Sequence, residues 1–435
     1  MNSQANPFFV GGAVPPERFI GRQTQVNACF NAMVNMTHLA IYGSPGMGKS
    51  SLLRYVVDPQ VWKAKGIDPS KVVVAGVNCA DISPFTPSAF WRTVLTRVRS
   101  GSPAGAAWIS ELDQRLMKPE VDAKDIEAVL TGIQAAGSTL VLTVDDYDEA
   151  LRKNDHYSEE ELSKFVTDVR ALSNQFGTKC FSTIVASFYR LYDLGPKVKP
   201  GGSPWFNQYL FQPLRPFTLD ETDSLFERMP QNWVLPQVVR DRLRELGDGH
   251  PALLQNACYL LHEIMDGNLQ SDWATFARDL EGRTLQFFGA EWDFSDDKEK
   301  KLMLLATLAR LEGRVPGRDY RIGDLNLVFS QAAESQEFMR LDSRGLLSHR
   351  TEGTKHVFDF RSSMMAWWVL QWIEDSPSEA ELMDREKILL GLSTKQVERI
   401  KSVMGQIWQN KDTVKEVAKF AGEVAGALVK GFVGH

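Results

Sequence analysis

The chain has 435 residues, 43% of them hydrophobic and 24% charged, which is typical of a globular protein of roughly two to four domains. Its net charge of −6 at pH 7 excludes a surface that is basic overall, although it leaves room for a local basic patch. The 4 cysteines are widely spaced and form no C-x-x-C pair, which excludes a zinc site or a disulfide framework of recognisable spacing.

The first half of the chain predicts an α/β domain with a parallel sheet. Residues 1–17 are rich in Pro, Gly and Asn and are typical of an arm. Beyond them, apolar runs alternate with helical patterns, as in a sheet whose strands are buried on both faces. The predicted strands are His38–Tyr42, Lys71–Val77, Thr139–Asp145, Phe181–Ala186 and Tyr209–Gln212. The predicted helices between them are Thr24–Met36, Ser88–Arg99, Ala123–Ala136 and Glu159–Gln175.

From Phe217 onward the pattern is mainly helical. Two short strands, Gly345–His349 and His356–Phe360, are predicted around a turn at 351–354. Helices followed by a β-hairpin are the outline of a winged helix, and a helical tail is predicted after the break at 376–378. The predicted helices before the hairpin are Asp220–Arg228, Pro236–Leu246, Pro251–Met265, Lys298–Arg310 and Phe329–Ser343.

The predicted strand at 38–42 runs into a glycine-rich motif. Residues 43 to 50 read Gly43-Ser44-Pro45-Gly46-Met47-Gly48-Lys49-Ser50, an unbroken G-x-x-x-x-G-K-[ST], and Ser51 opens a segment that can be helical. Strand, glycine turn and helix are the context of a phosphate loop, whose backbone N–H groups and helix N-terminus bind phosphate oxygens. Lys49 is placed to reach the β and γ phosphates, and the Ser50 hydroxyl to ligate Mg²⁺. We therefore predict that this segment, including Ser51, binds ATP or ADP.

A second strand ends in carboxylates about 95 residues further on. Asp145 and Asp146 fall at the carboxyl end of the predicted strand at 139–145, beside the phosphate loop. We predict that Asp145 holds Mg²⁺, directly or through water, and that Asp146 polarises the attacking water. Asp148 and Glu149 follow closely and leave the assignment of the catalytic base open.

The next predicted strand runs to Ser187, whose hydroxyl is a candidate catalytic group that senses the γ-phosphate or holds the attacking water. The alternative is a serine that satisfies a loop amide. Arg190 follows three residues later and is a candidate charge stabiliser, with a solvated surface arginine as the alternative. The sequence identifies no arginine finger.

Two further segments are candidates for contact with the nucleotide. In Phe19-Ile20-Gly21-Arg22, the side chains of Phe19 and Ile20 can pack on an adenine face, Gly21 permits close backbone approach, and we include Arg22 in the same binding segment. Gly249-His250-Pro251 opens a predicted helix with proline in its first turn. His250 is a candidate sensor of the nucleotide, with helix capping or a solvated side chain as alternatives.

These motifs, taken with Gln212-Pro213-Leu214 and in this order, resemble the STAND ATPases. These are signal-transduction P-loop NTPases related to AAA+ and archaeal origin-recognition ATPases. The resemblance covers residues 18–375 and implies a nucleotide core, a helical lid and a winged helix, with Pro251 contacting the base. It also implies that bound ADP locks the lid and winged helix on the core, and that exchange for ATP opens them and permits oligomerisation.

The resemblance divides the chain into an N-terminal arm (1–17), a P-loop ATPase core (18–215), a helical lid (216–292), a winged-helix domain (293–375) and a helical tail (376–435). STAND proteins usually carry an effector domain before the core and a long repeat sensor after the winged helix. Here 17 residues precede the core and about 60 follow the winged helix. We therefore expect either a separate effector or sensor protein, or a tail that does that work.

The end of the tail predicts an amphipathic helix, because apolar residues between 414 and 432 recur at helical spacing with lysines on the other surface. Packing onto its own protein, association with a partner or a second copy, and binding to a membrane surface stay open. The predicted recognition helix of the winged helix, Ser330–Ser343, carries Glu334, Glu337 and Asp342 against Arg340. That charge is wrong for DNA, so a structural or interdomain use is favoured.

Neither a membrane segment nor a secretory signal is predicted. No run of 18 apolar residues occurs, and residues 1–16 lack the basic and then apolar layout of a signal peptide. The cysteine pattern fits a reducing compartment, so we predict a cytoplasmic protein.

The function predicted from these motifs is an ATP-dependent switch with slow hydrolysis, which controls assembly and partner signalling, and the resemblance points to bacterial defence. Two alternatives stay open. One is a DNA-acting AAA+-like ATPase, such as a loader or a regulator of transposition or replication. The other is a scaffold that binds nucleotide without turnover.

Overall fold

The fold is described by a computed structural model for residues 5–197, 202–230, 235–265, 273–312, 322–378, 381–382 and 388–409. The chain divides into two units, one of residues 13–44 and 48–214, the other of residues 1–12, 45–47 and 215–435. We call them the sheet unit and the helical unit. The tail helix predicted after Gln409 lies outside the described residues.

The sheet unit is built on five parallel strands in the order β2-β3-β4-β1-β5. The central strands are almost fully buried on both faces, as their largely apolar sequences predict. The α/β class with a P-loop type sheet is therefore confirmed. The strands are β1 (His38–Tyr42), β2 (Val72–Asn78), β3 (Thr139–Asp145), β4 (Phe181–Ser187) and β5 (Tyr209–Pro213).

Seven α-helices occur in the described part of the sheet unit, and the last four of them share one buried apolar core with the strands. Side-chain caps fix where several of them begin. The Ser158 hydroxyl, for example, accepts from the amide of Glu161 at 3.3 Å, and the Glu161 carboxylate accepts in return from the Ser158 amide at 2.8 Å. The helices are α1 (Gln23–Val34), α2 (Lys49–Val56), α3 (Pro59–Ala64), α4 (Pro87–Gly101), α5 (Ile109–Leu116), α6 (Ala123–Ala135) and α7 (Glu159–Phe176).

The strand register brings the polar strand ends to one edge of the sheet. Tyr42, the last residue of β1, pairs with Ser187, the last residue of β4. Val144 of β3 pairs with Val185 of β4. The next residue, Asp145, therefore lies level with Ala186, one residue before the end of β4. The segments after β1, β3 and β4 therefore emerge side by side.

In the helical unit, nine helices surround one antiparallel hairpin in the described residues. In the hairpin, Glu352 of β6 pairs with Lys355 of β7, and Gly353 adopts φ 64°, as a two-residue turn requires. Helices followed by a hairpin match the predicted outline, while the winged-helix assignment itself stays a prediction. The elements are α8 (Leu219–Phe226), α9 (Gln237–Gly247), α10 (Pro251–Met265), α11 (Trp273–Phe294), α12 (Asp297–Leu311), α13 (Asn326–Ala333), α14 (Gln336–Ser343), β6 (Leu347–Glu352), β7 (Lys355–Phe360), α15 (Ser363–Glu374) and α16 (Thr394–Gln409).

The single helix predicted over Phe329–Ser343 is wrong, because the segment forms two helices, α13 and α14. The break falls at Ser335, which has extended backbone angles of −78° and 152° and accepts from the Phe338 amide at 3.1 Å. A serine that caps a second helix ends the first one. None of the helices within the described ranges is long and apolar enough to cross a bilayer.

A buried ionic cluster joins three segments of the helical unit. Arg344, which follows α14, is 3% exposed. Its guanidinium lies 3.1 Å from the carboxylate of Glu291 in α11 and 3.2 Å from that of Glu299 in α12. Both glutamates are also buried, and Glu299 is paired with Arg340 of α14 as well, at 2.9 Å, so arginines neutralise the buried carboxylates of this cluster.

Replacing Arg344 by methionine leaves Glu291 and Glu299 buried without this guanidinium. We expect the variant to lose about 3–5 kcal/mol of unfolding free energy in the helical unit. Urea unfolding of the full chain, followed by tryptophan fluorescence, measures the loss. The matched control is Arg350→Met, which removes an exposed arginine paired with Glu352 at 2.8 Å and is expected to cost less than about 1 kcal/mol. Equal losses for the two variants would contradict this role of the cluster.

Candidate nucleotide site

The glycine-rich motif forms a turn between β1 and α2. Gly46 and Gly48 have φ values of 76° and 89°, the left-handed region that glycine adopts without strain. The Lys49 ammonium donates to the carbonyl of Gly43 at 2.7 Å and to that of Ser44 at 3.2 Å. The lysine charge is thus held over a curled loop at the start of a helix, an arrangement suited to phosphate.

The two predicted magnesium ligands are brought together. Ser50 lies in the first turn of α2, and its hydroxyl hydrogen-bonds to the carboxylate of Asp145 at the end of β3. Burial raises the pKa of Asp145, against the lowering effects of this hydrogen bond and of the Lys49 charge. A hydroxyl and a carboxylate are hard oxygen donors of the kind that Mg²⁺ prefers, so the pair fits the predicted ion.

The carboxylates of Asp145 and Asp148 have different partners. Asp146 has a left-handed backbone with φ 47°, and its amide donates to the Asp145 carboxylate at 3.1 Å. The Asp148 carboxylate instead accepts from the amide of Phe188, beyond the end of β4, at 2.7 Å. The sequence named Asp148 only as an open alternative, since spacing alone does not give the direction of a side chain after a strand end.

Ser187, the last residue of β4, and Arg190, which lies three residues beyond it, both have defined partners. The buried Ser187 hydroxyl donates to the carbonyl of Tyr189 at 2.6 Å. The Arg190 guanidinium donates to the Tyr42 hydroxyl at 2.9 Å and lies 5.1 Å from the centre of that ring. Tyr42 immediately precedes the phosphate loop and was not predicted as a site residue. The one sequence feature that could have marked Tyr42 as a site residue is its position directly before Gly43.

The Phe19–Arg22 segment packs beside the helix that follows the phosphate loop. The Phe19 ring stacks on Tyr55 of α2 with ring centres 4.4 Å apart and an angle of 17°. Ile20 is half-buried, while Arg22 is 4% exposed and precedes α1 with φ 60°. Contact of these side chains with adenine stays a prediction.

The N-terminal arm is joined to the same helix. The Ser51 hydroxyl accepts from the amide of Val14 at 2.9 Å, and Arg54 donates to the carbonyl of Ala13 at 3.2 Å. The Ser51 side chain is therefore engaged by the arm, and its predicted contact with nucleotide stays untested.

His250 and Pro251 begin α10 in the helical unit. The His250 ring nitrogen Nδ1 accepts from the amide of Leu253 at 3.4 Å, which corresponds to the capping alternative for this residue. The side chain is buried, with 8% exposure.

Residues 45–47, the tip of the phosphate loop, belong to the helical unit. The Gly46 carbonyl accepts from the Ala252 amide at 3.2 Å. A β-carbon on Gly46 would lie 2.7 Å from the His250 ring, so only glycine fits there. His250 therefore lies next to Gly46, which is one of the predicted nucleotide-binding residues. Contact of His250 with the nucleotide stays a prediction.

The fold resembles that of a solved ATPase. A Walker-type ATPase of Pyrococcus abyssi matches with 12% identity and a TM-score of 0.53 over 83% of this chain and 99% of that chain. The ORC2 protein of Aeropyrum pernix, solved as ADPNP–ADP complexes, matches with 13% identity and a TM-score of 0.49 over 87% of this chain and 97% of that chain. No curated protein matches the sequence significantly.

The family comparison covers the segment that holds the phosphate loop, Asp145 and Ser187. Residues 14–199 match the family described as Novel STAND NTPase 1. The resemblance predicted from the motifs is therefore confirmed. The match spans less than half of the chain, and the parallel sheet around the phosphate loop has the P-loop ATPase fold.

Proposed function

We propose that this chain is an ATP-dependent switch of the STAND class, which binds Mg²⁺ with ATP, hydrolyses it slowly and uses its nucleotide state to control assembly and signalling. The observation that carries the proposal is the convergence of Lys49, Ser50 and Asp145 at one edge of the sheet. Lys49 would bind the β and γ phosphates, while Ser50 and Asp145 would hold Mg²⁺, which neutralises charge that develops on the phosphates.

The partners follow from the same proposal. Nucleotide exchange would favour self-assembly or the capture of a separate effector or sensor protein, and the segment after residue 376 is the proposed contact. We also propose a cytoplasmic location and a role in bacterial defence. Both rest on the family resemblance.

The alternative of a DNA-acting ATPase has less support from the described residues. Arg340 is the cation of the predicted recognition helix. It donates to the Glu299 carboxylate at 2.9 Å, so its charge is engaged within the protein. Glu337 of the same helix lies 3.1 Å from Lys298. A helix whose arginine is neutralised in this way is poorly suited to a phosphate backbone.

Assembly tests the switch directly. We expect the purified full chain to form larger particles with a non-hydrolysable ATP analogue than with ADP, because the two nucleotides favour different states. Light scattering coupled to size-exclusion chromatography measures the mass. Lys49→Ala should show one size under both conditions. If the wild-type protein binds both nucleotides and gives identical size profiles with them, the scaffold alternative is favoured. If duplex DNA stimulates ATP hydrolysis about tenfold, the DNA-acting alternative is favoured.

Magnesium dependence tests the roles of the two charged groups. Lys49→Ala should weaken ATP binding by about 10- to 100-fold with or without Mg²⁺, since it removes a charge-assisted hydrogen bond. Asp145→Asn should bind metal-free ATP normally and lose the gain in affinity that Mg²⁺ gives the wild type. Calorimetric titration with and without chelator distinguishes these outcomes. A full magnesium gain in Asp145→Asn would remove this residue from the metal site.

A further inference from the structure

Residues 6–9 of the N-terminal arm, which we call the arm segment, are bound to α10, and both belong to the helical unit. The side-chain amide of Asn6 donates to the carbonyl of Tyr259 at 3.1 Å and to the carboxylate of Glu263 at 2.8 Å. The amide of Phe9 donates to the side-chain oxygen of Gln255 at 3.2 Å. Gln255, Tyr259 and Glu263 are spaced four residues apart, so they share one face of the helix, which we call the α10 face.

Asn6 shapes the arm segment as well as binding it to α10. Its Oδ1 atom accepts from the amide of Phe8 at 3.0 Å, which is an asparagine turn. The Phe8 side chain is buried, with 2% exposure. An aspartate at position 6 would keep the acceptor and lose both donors. The arm segment is therefore recognised through one asparagine amide and anchored by one aromatic ring.

The α10 face is the outward side of its helix. Its three residues are half-buried, whereas the stripe formed by Leu254, Cys258 and Leu261 is completely buried. A segment that binds the α10 face or leaves it therefore does not have to disturb the packing of that stripe.

A glycine pair connects the arm segment to the rest of the chain. Gly11 and Gly12 are exposed, and Gly11 adopts φ 87°. A β-carbon on Gly11 would meet no heavy atom within 4 Å, so glycine serves the backbone conformation there and not close packing. Beyond the pair, the amide of Val14 donates to the Ser51 hydroxyl in the sheet unit. The arm segment is thus a separate contact, joined to the next one by a connection that can turn.

We propose that the α10 face also binds the arm segment of a second copy of this chain, and that this exchange holds copies together once they have assembled. The proposal rests on the self-assembly proposed above. Every copy carries both the arm segment and the α10 face, so an exchanged arm makes the same contacts between chains that it makes within one. Because no new contact is gained, exchange does not drive assembly. It slows disassembly, since each arm has to leave its face before two copies separate.

Photo-crosslinking of the full chain detects the exchange. Benzoylphenylalanine is introduced at Phe9, whose side chain is half-buried and whose hydrogen bond to α10 is made by the backbone. With ADP, we expect crosslinks to α10 of the same chain. With a non-hydrolysable ATP analogue, the share of crosslinked chains of doubled mass on a denaturing gel should rise about tenfold or more, because assembled copies are at high effective concentration. Peptide mapping should place the new links in α10.

Two outcomes of this experiment would overturn the proposal in different ways. Assembly without doubled-mass crosslinks to α10 would show that the arms are not exchanged and would leave the proposed switch intact. If the particles do not grow with the ATP analogue, the size measurement contradicts the proposed assembly itself, and arm exchange is overturned with it.

The rate of disassembly gives a second measurement. Asn6→Asp keeps the oxygen for the Phe8 amide, removes both donors and places a carboxylate beside that of Glu263. We expect assembled Asn6→Asp to dissociate about 10- to 100-fold faster than wild type after transfer to ADP, as followed by light scattering. Adding Glu263→Gln to this variant should restore slow disassembly, since glutamine donates to the new carboxylate.

The matched control is Asn27→Asp, the same chemical change at an exposed residue of α1, where the oxygen accepts from Gln23 at 2.7 Å. It should dissociate at the wild-type rate. A wild-type rate for Asn6→Asp as well would show that each arm stays on its own chain, which overturns the proposal.

Discussion

The hydrogen-bonded ladder between β1 and β4 fixes the start of the phosphate loop at one edge of the sheet. Tyr42 pairs with Ser187, and the amide of Gly43 donates to the Ser187 carbonyl at 3.2 Å, so the first residue of the phosphate loop is fixed to the end of β4. β3 pairs with β4 on its other side and delivers Asp145 at the same edge. Parallel strands place their carboxyl ends together, and the site needs no other scaffold to bring lysine, hydroxyl and carboxylate into one place.

Binding of a phosphate has to compete with hydrogen bonds that the loop already makes. Lys49 donates to two loop carbonyls, and a nucleotide would replace these neutral acceptors with charged phosphate oxygens, which form stronger hydrogen bonds. The tip of the loop, residues 45–47, forms part of the helical unit, where the Gly46 carbonyl accepts from the Ala252 amide. The residues of the phosphate loop are therefore divided between the two units.

The sequence predicted the sheet well, because a strand buried on both faces leaves an unbroken apolar run. β1 and β3 begin and end at the predicted residues, and the phosphate loop and Asp145 lie where their motifs placed them. Helix α11 was not predicted, since Gly282 and Gly289 weaken its helical pattern. The break between α13 and α14 was missed because it depends on one capping serine, Ser335. Such local hydrogen bonds decide element ends without changing the apolar pattern.

The sequence alone did not predict how the side chains of Asp146 and Asp148 are placed after β3. A strand that continued past Asp145 would direct Asp146 and Asp148 to the same face, and the motif would favour the nearer one. Asp146 has a left-handed backbone with φ 47°, and the Tyr147 side chain that follows it is buried, with 1% exposure. The Tyr147 side chain lies in the core, and the Tyr147 amide donates a hydrogen bond to the Ala186 carbonyl of β4. Asp148 therefore lies next to the end of β4. The Phe188 amide then donates to the Asp148 carboxylate at 2.7 Å and holds this side chain at the end of β4, a contact that the spacing of the carboxylates in the sequence does not reveal.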